Sequence, residues 1–284
     1  MDRLSEEEIS RAVPVALAED VGSADATTLA TVPETATARA VMAAREPLVV
    51  AGLAVAEAVF QQLSASVECK RLVDDGQKAN AGSGLLSLSG PARAILTGER
   101  VALNFLQRLS GVATLTARFV EAVQGTKAKI LDTRKTTPGL RLLEKYAVRC
   151  GGGTNHRVGL FDRVLIKDNH LAALRGELPN AIGAAVSRAR SQYPHLQVEV
   201  EADTLEQVQQ AVEARADIIL LDNMTTDQLR AAVQAVSGRA KTEASGGVNL
   251  QTVRAIALTG VDFISVGAVT HSAPAVDIGL DFLD

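Results

Sequence analysis

The spacing of apolar residues changes near residue 125 of the 284-residue chain. Beyond that point, short apolar runs alternate with segments whose apolar residues recur every three or four positions. Six runs predict strands: AKILDT, VLIKD, QVEVEA, DIILLD, KTEAS and DFISVGA. The intervening segments predict helices. Strand–helix alternation of this kind predicts a parallel sheet or an α/β barrel, and six strands are fewer than the eight of a complete barrel.

The earlier part of the chain predicts helices mixed with shorter strands. The segment SEEEISRAVPVALAED predicts a helix that has Ser5 as N-cap and Glu8 three residues on. ATARAVMAAREPLVVAG and AGSGLLSLSGPARAIL predict strands, and AVAEAVFQQL predicts a helix. Residues 96–123 predict a long helix that is interrupted at Gly111.

Composition narrows the classes of protein that fit. Apolar residues make up 47% of the chain, which allows a sizeable core, and 29 basic residues nearly balance 33 acidic ones. Bulk electrostatic attraction to nucleic acid or to an anionic membrane is therefore not expected. Cys69 and Cys150 stand far apart, which favours a reducing compartment without a zinc site. No apolar run approaches the ~20 residues that span a bilayer, so we expect a soluble, cytoplasmic protein.

Polar or charged residues follow every predicted strand of the second half. In a parallel barrel these carboxyl ends meet at one rim, where ligands bind. The residues in question are Asp132–Lys135, Lys167–His170, Glu199 with Glu201, Asp222–Asn223, Glu243–Gly247 and the stretch VGAVTHS. Between Asp132 and Asp168 there are eight Lys or Arg and four Asp or Glu, whereas the later strand ends are acidic. Such a rim suits a ligand with several anionic groups together with Mg²⁺, for example a phosphorylated sugar.

Two glycine-containing segments are candidates for binding anionic groups. Ser245-Gly246-Gly247 precedes a helix predicted to begin near Asn249, where backbone N–H groups could bind phosphate. The segment CGGGTNHR is a flexible loop by default, and its His156-Arg157 pair is either solvated or binds a carboxylate, which Arg contacts through two parallel hydrogen bonds.

The remaining candidate residues receive no binding role from the pattern alone. Lys145 and Arg149 lie four residues apart on a helix and predict a solvated face. Cys150 has no histidine partner at a known spacing, so a nucleophilic role is not expected. His195 follows Pro194 in a predicted loop, and the role of His271 stays open.

The stretch LDTRKTTPGLRLLEKYAVRCGGGTNHRVGLFDRVLIKDNH resembles the quinolinate phosphoribosyltransferases, also called carboxylating nicotinate-nucleotide pyrophosphorylases. The likeness extends to ERVALNFLQRLSGVAT, VEVEADTLEQ, LLDNM and EASGGVN, in the family's order and over nearly the whole chain. One departure is Ala24, where the family usually has Gly before the Asp.

The resemblance implies a fold and an assembly. Residues 1–112, completed by 270–284, would form an amino-terminal α/β sandwich, and residues 113–269 an incomplete α/β barrel of six or seven strands. The family forms homodimers or assemblies of dimers, in which the partner's amino-terminal domain covers each barrel mouth.

The resemblance also implies roles for individual residues. Arg134, His156 and Arg157 would bind the quinolinate carboxylates, and Arg108 would reach the same ligand from the partner subunit. Lys135 and Lys167 would lie between the dicarboxylate and the pyrophosphate, with Thr133 in the same substrate site. Glu201 and Asp222 would face the ribose hydroxyls and Mg²⁺. The 5-phosphate would be held by Ser245, Gly246, Gly247, Gly267 and Ala268. Lys135, Lys167, Glu201 and Asp222 would be the catalytic residues.

The implied reaction joins quinolinate to phosphoribosyl pyrophosphate and gives nicotinate mononucleotide, pyrophosphate and CO₂, with Mg²⁺ required. Three alternatives stay open. One is a paralogue that accepts another acceptor, such as the pyrophosphorylase-like protein associated with molybdenum transport. The second is an aldolase that uses Lys167 as a Schiff base, and the third is a non-catalytic anion-binding or scaffold protein.

Overall fold

The computed structural model describes residues 4–174 and 176–283. They divide into two compact units. The described residues of the first unit are 4–117, 136–152 and 269–283, and those of the second are 118–135, 153–174 and 176–268. Residues 1–3 and 284, which the predicted amino-terminal domain includes, lie outside the described residues. The segment 136–152 belongs to the first unit, and the exact domain boundaries stay a prediction.

The helices and strands follow one another along the chain with short connections. In chain order they are α1 (Glu6–Val21), α2 (Ala26–Thr31), β1 (Thr37–Ala44), β2 (Leu48–Val49), α3 (Leu53–Leu63), β3 (Glu68–Arg71), β4 (Lys78–Ala79), β5 (Gly84–Pro91), α4 (Ala92–Ala122), β6 (Lys129–Leu131), α5 (Arg141–Cys150), β7 (Val164–Ile166), α6 (Asp168–Ala172), α7 (Ala181–Gln192), β8 (Val198–Ala202), α8 (Leu205–Glu213), β9 (Ile218–Asp222), α9 (Thr226–Val236), β10 (Lys241–Ser245), α10 (Val253–Ala257), β11 (Phe263–Ser265), α11 (Ala268–His271) and β12 (Ile278–Leu283). Among the described helices, none is long and apolar enough to cross a membrane.

The first unit contains an antiparallel sheet of four strands in the order β12–β1–β5–β3 and a separate pair, β2–β4. Ala40 of β1 pairs with Leu88 of β5 on one side and with Phe282 of β12 on the other. The end of the chain therefore supplies a strand of the amino-terminal sheet. Met42 and Phe60 are among the largest fully buried side chains of this unit. The sheet and its helices confirm the predicted α/β sandwich.

Helix α1 begins where the sequence predicts. The Ser5 side chain accepts a hydrogen bond from the backbone N–H of Glu8 at 3.3 Å, and Glu6, Glu7 and Glu8 occupy the first turn. This arrangement satisfies one free N–H group and places negative charge at the positive end of the helix dipole. Asp25, next to the unusual Ala24, likewise caps α2 through the N–H of Thr28.

The second unit is built on a parallel sheet of six strands in the order β6–β11–β10–β9–β8–β7. All six strands predicted after residue 125 are present, and all except the edge strand β7 are largely buried, as expected for parallel strands that are covered on both faces. Within the described part of the chain, the edge strands β6 and β7 do not pair with each other. The sheet is therefore an open barrel, which confirms the predicted incomplete α/β barrel.

Several helices differ from their predicted extents. Residues 171–192 predict one helical stretch, but α6 and α7 are separate, because Pro179 stands between them and Asn180 caps α7 through the N–H of Gly183 at 2.8 Å. The helix predicted near Asn249 begins only at Val253. The side chain of Asn249 instead accepts the N–H groups of two following residues in a turn.

Helix α5 is more buried than its sequence predicts. Seven of its ten residues are buried, including Lys145, which is only 2% exposed. The prediction of a solvated face is therefore wrong for Lys145. Arg149 is partly exposed, and its guanidinium lies over the Tyr146 ring at 5.8 Å from the centroid. The aliphatic stem of a lysine can line a packed surface, so its charge alone does not report exposure.

The predicted break at Gly111 is also wrong, because α4 runs without interruption from Ala92 to Ala122. A Cβ atom built at Gly111 would lie 2.0 Å from the carbonyl oxygen of Pro274. The glycine therefore permits close contact between two backbone segments, and the chain keeps it despite its low helix propensity.

We expect Gly111→Ala to lower the free energy of unfolding by about 2 kcal/mol or more, because the new methyl group meets a backbone carbonyl that cannot swing aside. Gly98→Ala in the same helix is the matched control. Its nearest neighbours are the side chains of Phe60 and Leu63, which can shift. Urea unfolding of both variants measures the difference, and equal losses would contradict the explanation from backbone contact.

Candidate active site

A cavity of about 290 Å³ opens at the carboxyl ends of the parallel strands in the second unit. Its lining residues lie on five of the six strands, in the segments that follow β6 and β7, and in the loop between α5 and β7: Thr133, Arg134, Lys135, His156, Arg157, Leu165, Lys167, Glu201, Leu220, Asp222, Glu243, Ser245 and Ser265. Nine of these residues are predicted site residues. Glu243 stands at a predicted strand end but receives no role from the sequence, and Leu165, Leu220 and Ser265 are not predicted at all.

A larger depression of about 650 Å³ lies at the opposite, amino-terminal ends of the strands and is also basic. Its charges already have partners. Lys127 and Lys241 both contact Asp262 at 3.2 Å, and Arg190 contacts Asp217 at 3.1 Å. Helix carboxyl termini also lie at this end, where cations are favoured by the helix dipole. Ligands of parallel barrels bind at the other end, so the smaller cavity is the candidate site.

The buried carboxylate of Asp132 joins the two basic segments of the site. It follows β6 directly, is fully buried, and accepts hydrogen bonds from the backbone N–H of His156 at 2.8 Å and from the Asn155 amide at 2.7 Å. Next to it, the Thr133 hydroxyl accepts the N–H of Lys135 at 3.1 Å and forms a tight turn. Asp132 therefore fixes the loop that carries His156 relative to the turn that carries the basic pair after β6.

Positive charge is concentrated on this side of the cavity. Arg157 is only 8% exposed, and its Nη1 donates to the carbonyl of Arg163 at 3.2 Å. Burial lowers the pKa of Arg157, and the charge of nearby Arg134 lowers it further. Among the described residues, none accepts a hydrogen bond from its buried Nε. A buried guanidinium that faces a like charge and holds an unused donor is stabilised by a bound anion.

The opposite side of the cavity carries carboxylates and one lysine. Lys167 Nζ lies 3.4 Å from Glu201 Oε2. Burial raises the pKa of Glu201, and the charge of Asp222 raises it as well, although Lys167 acts in the opposite direction. Two carboxylates that repel each other beside open space suit a divalent cation, and Mg²⁺ prefers one or two carboxylates plus phosphate and water oxygens. The donor set therefore fits the predicted ion.

A group of buried polar side chains forms the floor of the cavity. His156 Nδ1 accepts the N–H of Arg157 at 2.7 Å, so the ring proton is on Nε2. Nε2 lies 3.2 Å from Glu199 Oε2 and 3.5 Å from Glu243 Oε1. Both glutamates are fully buried. His156 thus presents a neutral ring that is held by a carboxylate, as in other sites where a second residue fixes the tautomer.

The two floor glutamates differ in protonation. Burial alone would raise the pKa of Glu199, but the hydrogen bond and charge of His156 and the charge of Arg163, 3.3 Å away, lower it. Burial raises the pKa of Glu243 well above its usual value, and the charge of Glu199 raises it further. The hydroxyl of Ser265 contacts Glu243 Oε1. The surroundings therefore favour the charged form of Glu199 and the protonated form of Glu243.

Among the described residues, His156, Glu199 and Glu243 also form a group of potential metal ligands, with atoms within 4.8 Å of one another. The guanidinium of Arg163 already occupies one side of Glu199. A proton on Glu243 removes the excess negative charge without a second cation, so the group needs no metal to be stable.

A glycine allows the loops after β9 and β10 to contact each other closely. Gly246 has φ +96°, and a Cβ atom there would lie 2.2 Å from Oδ1 of Asn223. The backbone N–H of Asn223 donates to the carbonyl of Ser245 at 3.0 Å. Gly247 (φ +60°) has open space around its Cα. Gly267 and Ala268 follow β11 by two and three residues. The phosphate-binding role of these residues stays a prediction.

Arg108 of α4 lies in the first unit and is held there by several partners. Its Nε and Nη2 contact Glu144 Oε1 at 3.2 and 2.7 Å, Nη1 donates to the carbonyl of Ala273 at 2.6 Å, and Nη2 also contacts the carbonyl of Thr270. Glu144 is fully buried and also accepts the Thr137 hydroxyl at 2.7 Å. Arg108 would have to leave these partners to reach a ligand of a second subunit, and that role stays a prediction.

The sequence model of the quinolinate phosphoribosyl transferase N-terminal domain matches residues 25–110, and that of the C-terminal domain matches residues 112–281. The chain belongs to the quinolinate phosphoribosyltransferase family. A nicotinate-nucleotide pyrophosphorylase [carboxylating] of Mycobacterium leprae is 48% identical over 263 residues, which cover 90% of each chain. A probable enzyme of the same name from Bacillus subtilis is 43% identical over 93% of this chain and 89% of its own.

Solved structures of the family have the same fold. The nicotinate-nucleotide pyrophosphorylase from Francisella tularensis has a TM-score of 0.93 at 41% identity and covers 99% of this chain and 98% of its own. NadC from Streptococcus pyogenes has a TM-score of 0.94 at 41% identity over the full length of both chains. Both units of the fold are therefore features of the family.

Neither cysteine has the properties of a nucleophile. Neither Cys69 nor Cys150 is in a disulfide, and Cys150 is buried. Burial raises the pKa of Cys150 to about 12, so the reactive thiolate is disfavoured at neutral pH. The chemistry of the site must therefore come from the charged residues of the cavity.

We expect Arg108→Ala to lower the free energy of unfolding by about 3 kcal/mol, because it leaves the buried Glu144 carboxylate without its cationic partner. Adding Glu144→Gln should recover most of the loss, which a double-mutant cycle in urea would measure. If Arg108 binds quinolinate instead, its removal would raise the quinolinate KM by far more than it lowers stability, and Glu144→Gln would restore nothing.

Proposed function

We propose that this chain transfers the phosphoribosyl group from phosphoribosyl pyrophosphate to quinolinate and releases pyrophosphate and CO₂, giving nicotinate mononucleotide. The observation that carries the proposal is the division of one cavity into a basic side and an acidic side. Arg134 and Arg157 suit a dicarboxylate, and Glu201 and Asp222 suit a ribose with its metal ion. The curated relatives carry names that state this activity.

The chemistry requires stabilisation of charge more than a protein nucleophile. Breaking the bond from C1 to pyrophosphate develops positive charge on the ribose and negative charge on the leaving group. Lys135 and Lys167 both line the cavity and would stabilise the departing anion. The carboxylates on the acidic side tolerate a cationic sugar, and the ring nitrogen of quinolinate is the nucleophile. Correct positioning of two bound substrates supplies a large part of the rate.

Mg²⁺ is the expected cofactor, and Glu201 and Asp222 are the residues that would hold it. When bound, the ion would neutralise pyrophosphate oxygens and orient them. The contact of Glu201 with Lys167 keeps the carboxylate near the ammonium that would meet the same pyrophosphate. The 5-phosphate would bind the backbone of the Ser245–Gly247 loop, where two glycines with positive φ allow close approach.

The basic side of the cavity would hold the acceptor. Arg134, His156 and Arg157 would bind the two carboxylates of quinolinate, and guanidinium groups do so through paired hydrogen bonds. After the ring nitrogen becomes a pyridinium, it can accept the electrons that remain when the adjacent carboxylate leaves. The residues need only orient that carboxylate and limit its solvation.

The alternative functions have less support. A paralogue with another acceptor would not need three carboxylate-binding side chains on one side of the cavity. A Schiff-base lysine is usually activated by an apolar pocket or a neighbouring cation, whereas Lys167 is 47% exposed and pairs with Glu201. A scaffold protein would not need the repelling pair Glu201 and Asp222, which a metal ion would relieve.

Assembly and location are part of the proposal. The enzyme would work in the cytoplasm as a homodimer or an assembly of dimers, with Arg108 as the residue predicted to cross between subunits. The measured mass in solution, compared with 29.8 kDa for one chain, tests the assembly.

The decisive assay is incubation with quinolinate, phosphoribosyl pyrophosphate and Mg²⁺. We expect nicotinate mononucleotide, pyrophosphate and CO₂ in equal amounts, with no product when a chelator removes the metal. Nicotinate in place of quinolinate is the control acceptor. The proposal fails if the protein consumes phosphoribosyl pyrophosphate equally well with both acceptors, or with neither.

We expect Arg134→Ala to weaken quinolinate binding by about 2 kcal/mol or more and to change phosphoribosyl pyrophosphate binding far less, because the guanidinium is assigned to the dicarboxylate. Titration calorimetry with each ligand measures the two effects. Arg230→Ala, which removes an exposed arginine paired with Asp227 on α9, is the control. Equal losses for the two ligands would contradict the assignment of Arg134 to the dicarboxylate.

A further inference from the structure

The floor of the cavity contains a polar group that substrate binding and metal binding leave unexplained. Glu199 and Glu243 are both fully buried, and among the described residues Arg163 is the one Lys or Arg that forms an ion pair with either of them. The neutral tautomer of His156 adds no charge, because its Nδ1 must accept the N–H of Arg157. Two carboxylates and one guanidinium would leave a buried negative charge, which is costly. A single proton on one glutamate removes it.

The hydrogen bonds decide which glutamate carries that proton. Glu199 Oε2 receives the Nε2–H of His156 and lies 3.3 Å from Arg163, so its charge is stabilised. Glu243 contacts the Ser265 hydroxyl but has no comparable cation. The raised pKa of Glu243, which burial and the charge of Glu199 produce, agrees with this arrangement. The geometry therefore favours Glu243 over Glu199 as the glutamate that carries the proton.

Ser265 has a hydroxyl that contacts Glu243, and it also lines the cavity. Glu243 and Ser265 lie on the neighbouring strands β10 and β11, which pair at Glu243 and Phe263. Successive residues of a strand alternate in direction, so Ser265 follows Phe263 on the same face. Both Glu243 and Ser265 line the cavity together with Arg134, His156 and Arg157. The Ser265 hydroxyl donates to Glu243 Oε1 when Glu243 is a carboxylate. A proton on Glu243 Oε1 reverses this hydrogen bond, so that Ser265 Oγ accepts it and the serine hydrogen can point into the cavity.

The proposed reaction consumes a proton at a carbon atom. When CO₂ leaves the pyridinium dicarboxylate, the electron pair of the broken bond stays on C2. This electron pair must take a proton before CO₂ adds back to C2, because otherwise the product does not form. A carbanion next to a ring nitrogen is a strong base, so even a weak carboxylic acid can protonate it. None of the predicted site residues has this task.

We propose that Glu243 stores this proton and delivers it through the hydroxyl of Ser265 to C2 of the pyridine ring as CO₂ leaves. The inference rests on the proposed function. Ser265 gives its hydrogen to C2 and takes the hydrogen of Glu243, so Glu243 ends as a carboxylate. Solvent returns the proton when the product has left the cavity. Ser265 is the group that touches the substrate, and Glu243 acts through it.

Glu243→Gln and Ser265→Ala are the test variants. Glutamine keeps the size of Glu243 and can contact Ser265, but its amide gives no proton to a hydroxyl. Alanine at 265 breaks the connection and leaves the acid. Thr242→Val is the matched control, because Thr242 is a buried, hydrogen-bonded neighbour on β10 whose hydroxyl contacts Asp262 instead. Urea unfolding of all four proteins separates stability from chemistry.

The readout is the ratio of two products in a single turnover. In the wild type, pyrophosphate and CO₂ should be released in equal amounts. In Glu243→Gln we expect CO₂ release to fall about 100-fold and pyrophosphate release to fall at most about tenfold, as for loss of a general acid. The nucleotide that retains both carboxylates should then accumulate. Ser265→Ala should shift the ratio in the same direction, and Thr242→Val should leave it unchanged.

An independent readout is the infrared spectrum of the protein without substrate at neutral pH. The wild type should show a carbonyl band of a protonated carboxylic acid, and Glu243→Gln should lack it. Its presence in the variant would overturn the assignment of the proton to Glu243.

The outcomes separate this inference from the proposed function. If the wild type forms no nicotinate mononucleotide, the function itself is wrong. The inference alone is wrong if the wild type is active and Glu243→Gln slows the release of pyrophosphate and of CO₂ by the same factor. It is also wrong if Glu243→Gln slows neither release. If Glu243→Gln does not fold, Ser265→Ala decides by the same ratio.

Discussion

The site depends on holding two like charges near each other in a partly buried place. Arg134 lowers the pKa of Arg157, which is a direct expression of their repulsion. Without fixed partners the two side chains would move apart into solvent. Asp132 prevents this, because its buried carboxylate accepts the N–H of His156 and fixes the loop that carries Arg157. The repulsion that remains is the free energy that a bound dicarboxylate can relieve.

Much of the second unit could be predicted because parallel strands leave a clear pattern. Strands that are buried on both faces are apolar throughout and change abruptly to polar residues at their ends. The run DIILLD shows this change, and the strand is present as predicted. Nine predicted residues line one cavity because the carboxyl ends of the strands meet there. Their individual roles came from the family resemblance, since spacing alone does not distinguish a sugar from a dicarboxylate.

The errors arise where one segment contacts another that is distant in sequence. Gly111 looks like a helix break until the carbonyl of Pro274 is seen against it. Lys145 is predicted to be solvated because the sequence does not show that α5 is buried on most of its sides. Strand β12 is not an error, because the family resemblance implied that residues 270–284 complete the amino-terminal domain, but its mixed apolar and polar positions alone do not reveal its pairing with β1. The contact between Ser265 and Glu243 likewise joins two strands, so neither sequence run reveals it.

The opposed charges within the cavity are themselves an argument about the reaction. A cavity lined only by cations would bind two anionic substrates well, but it would oppose a sugar that becomes cationic as its leaving group departs. The carboxylates of Glu201 and Asp222 stabilise the positive charge that develops on the sugar. Their mutual repulsion, however, is unfavourable before a cation binds. Lys167 lies beside Glu201 and offsets part of the repulsion while remaining available to the pyrophosphate. The arrangement therefore favours the state in which positive charge grows on the ribose and negative charge grows on the leaving group, which is the condition for catalysis by electrostatic stabilisation.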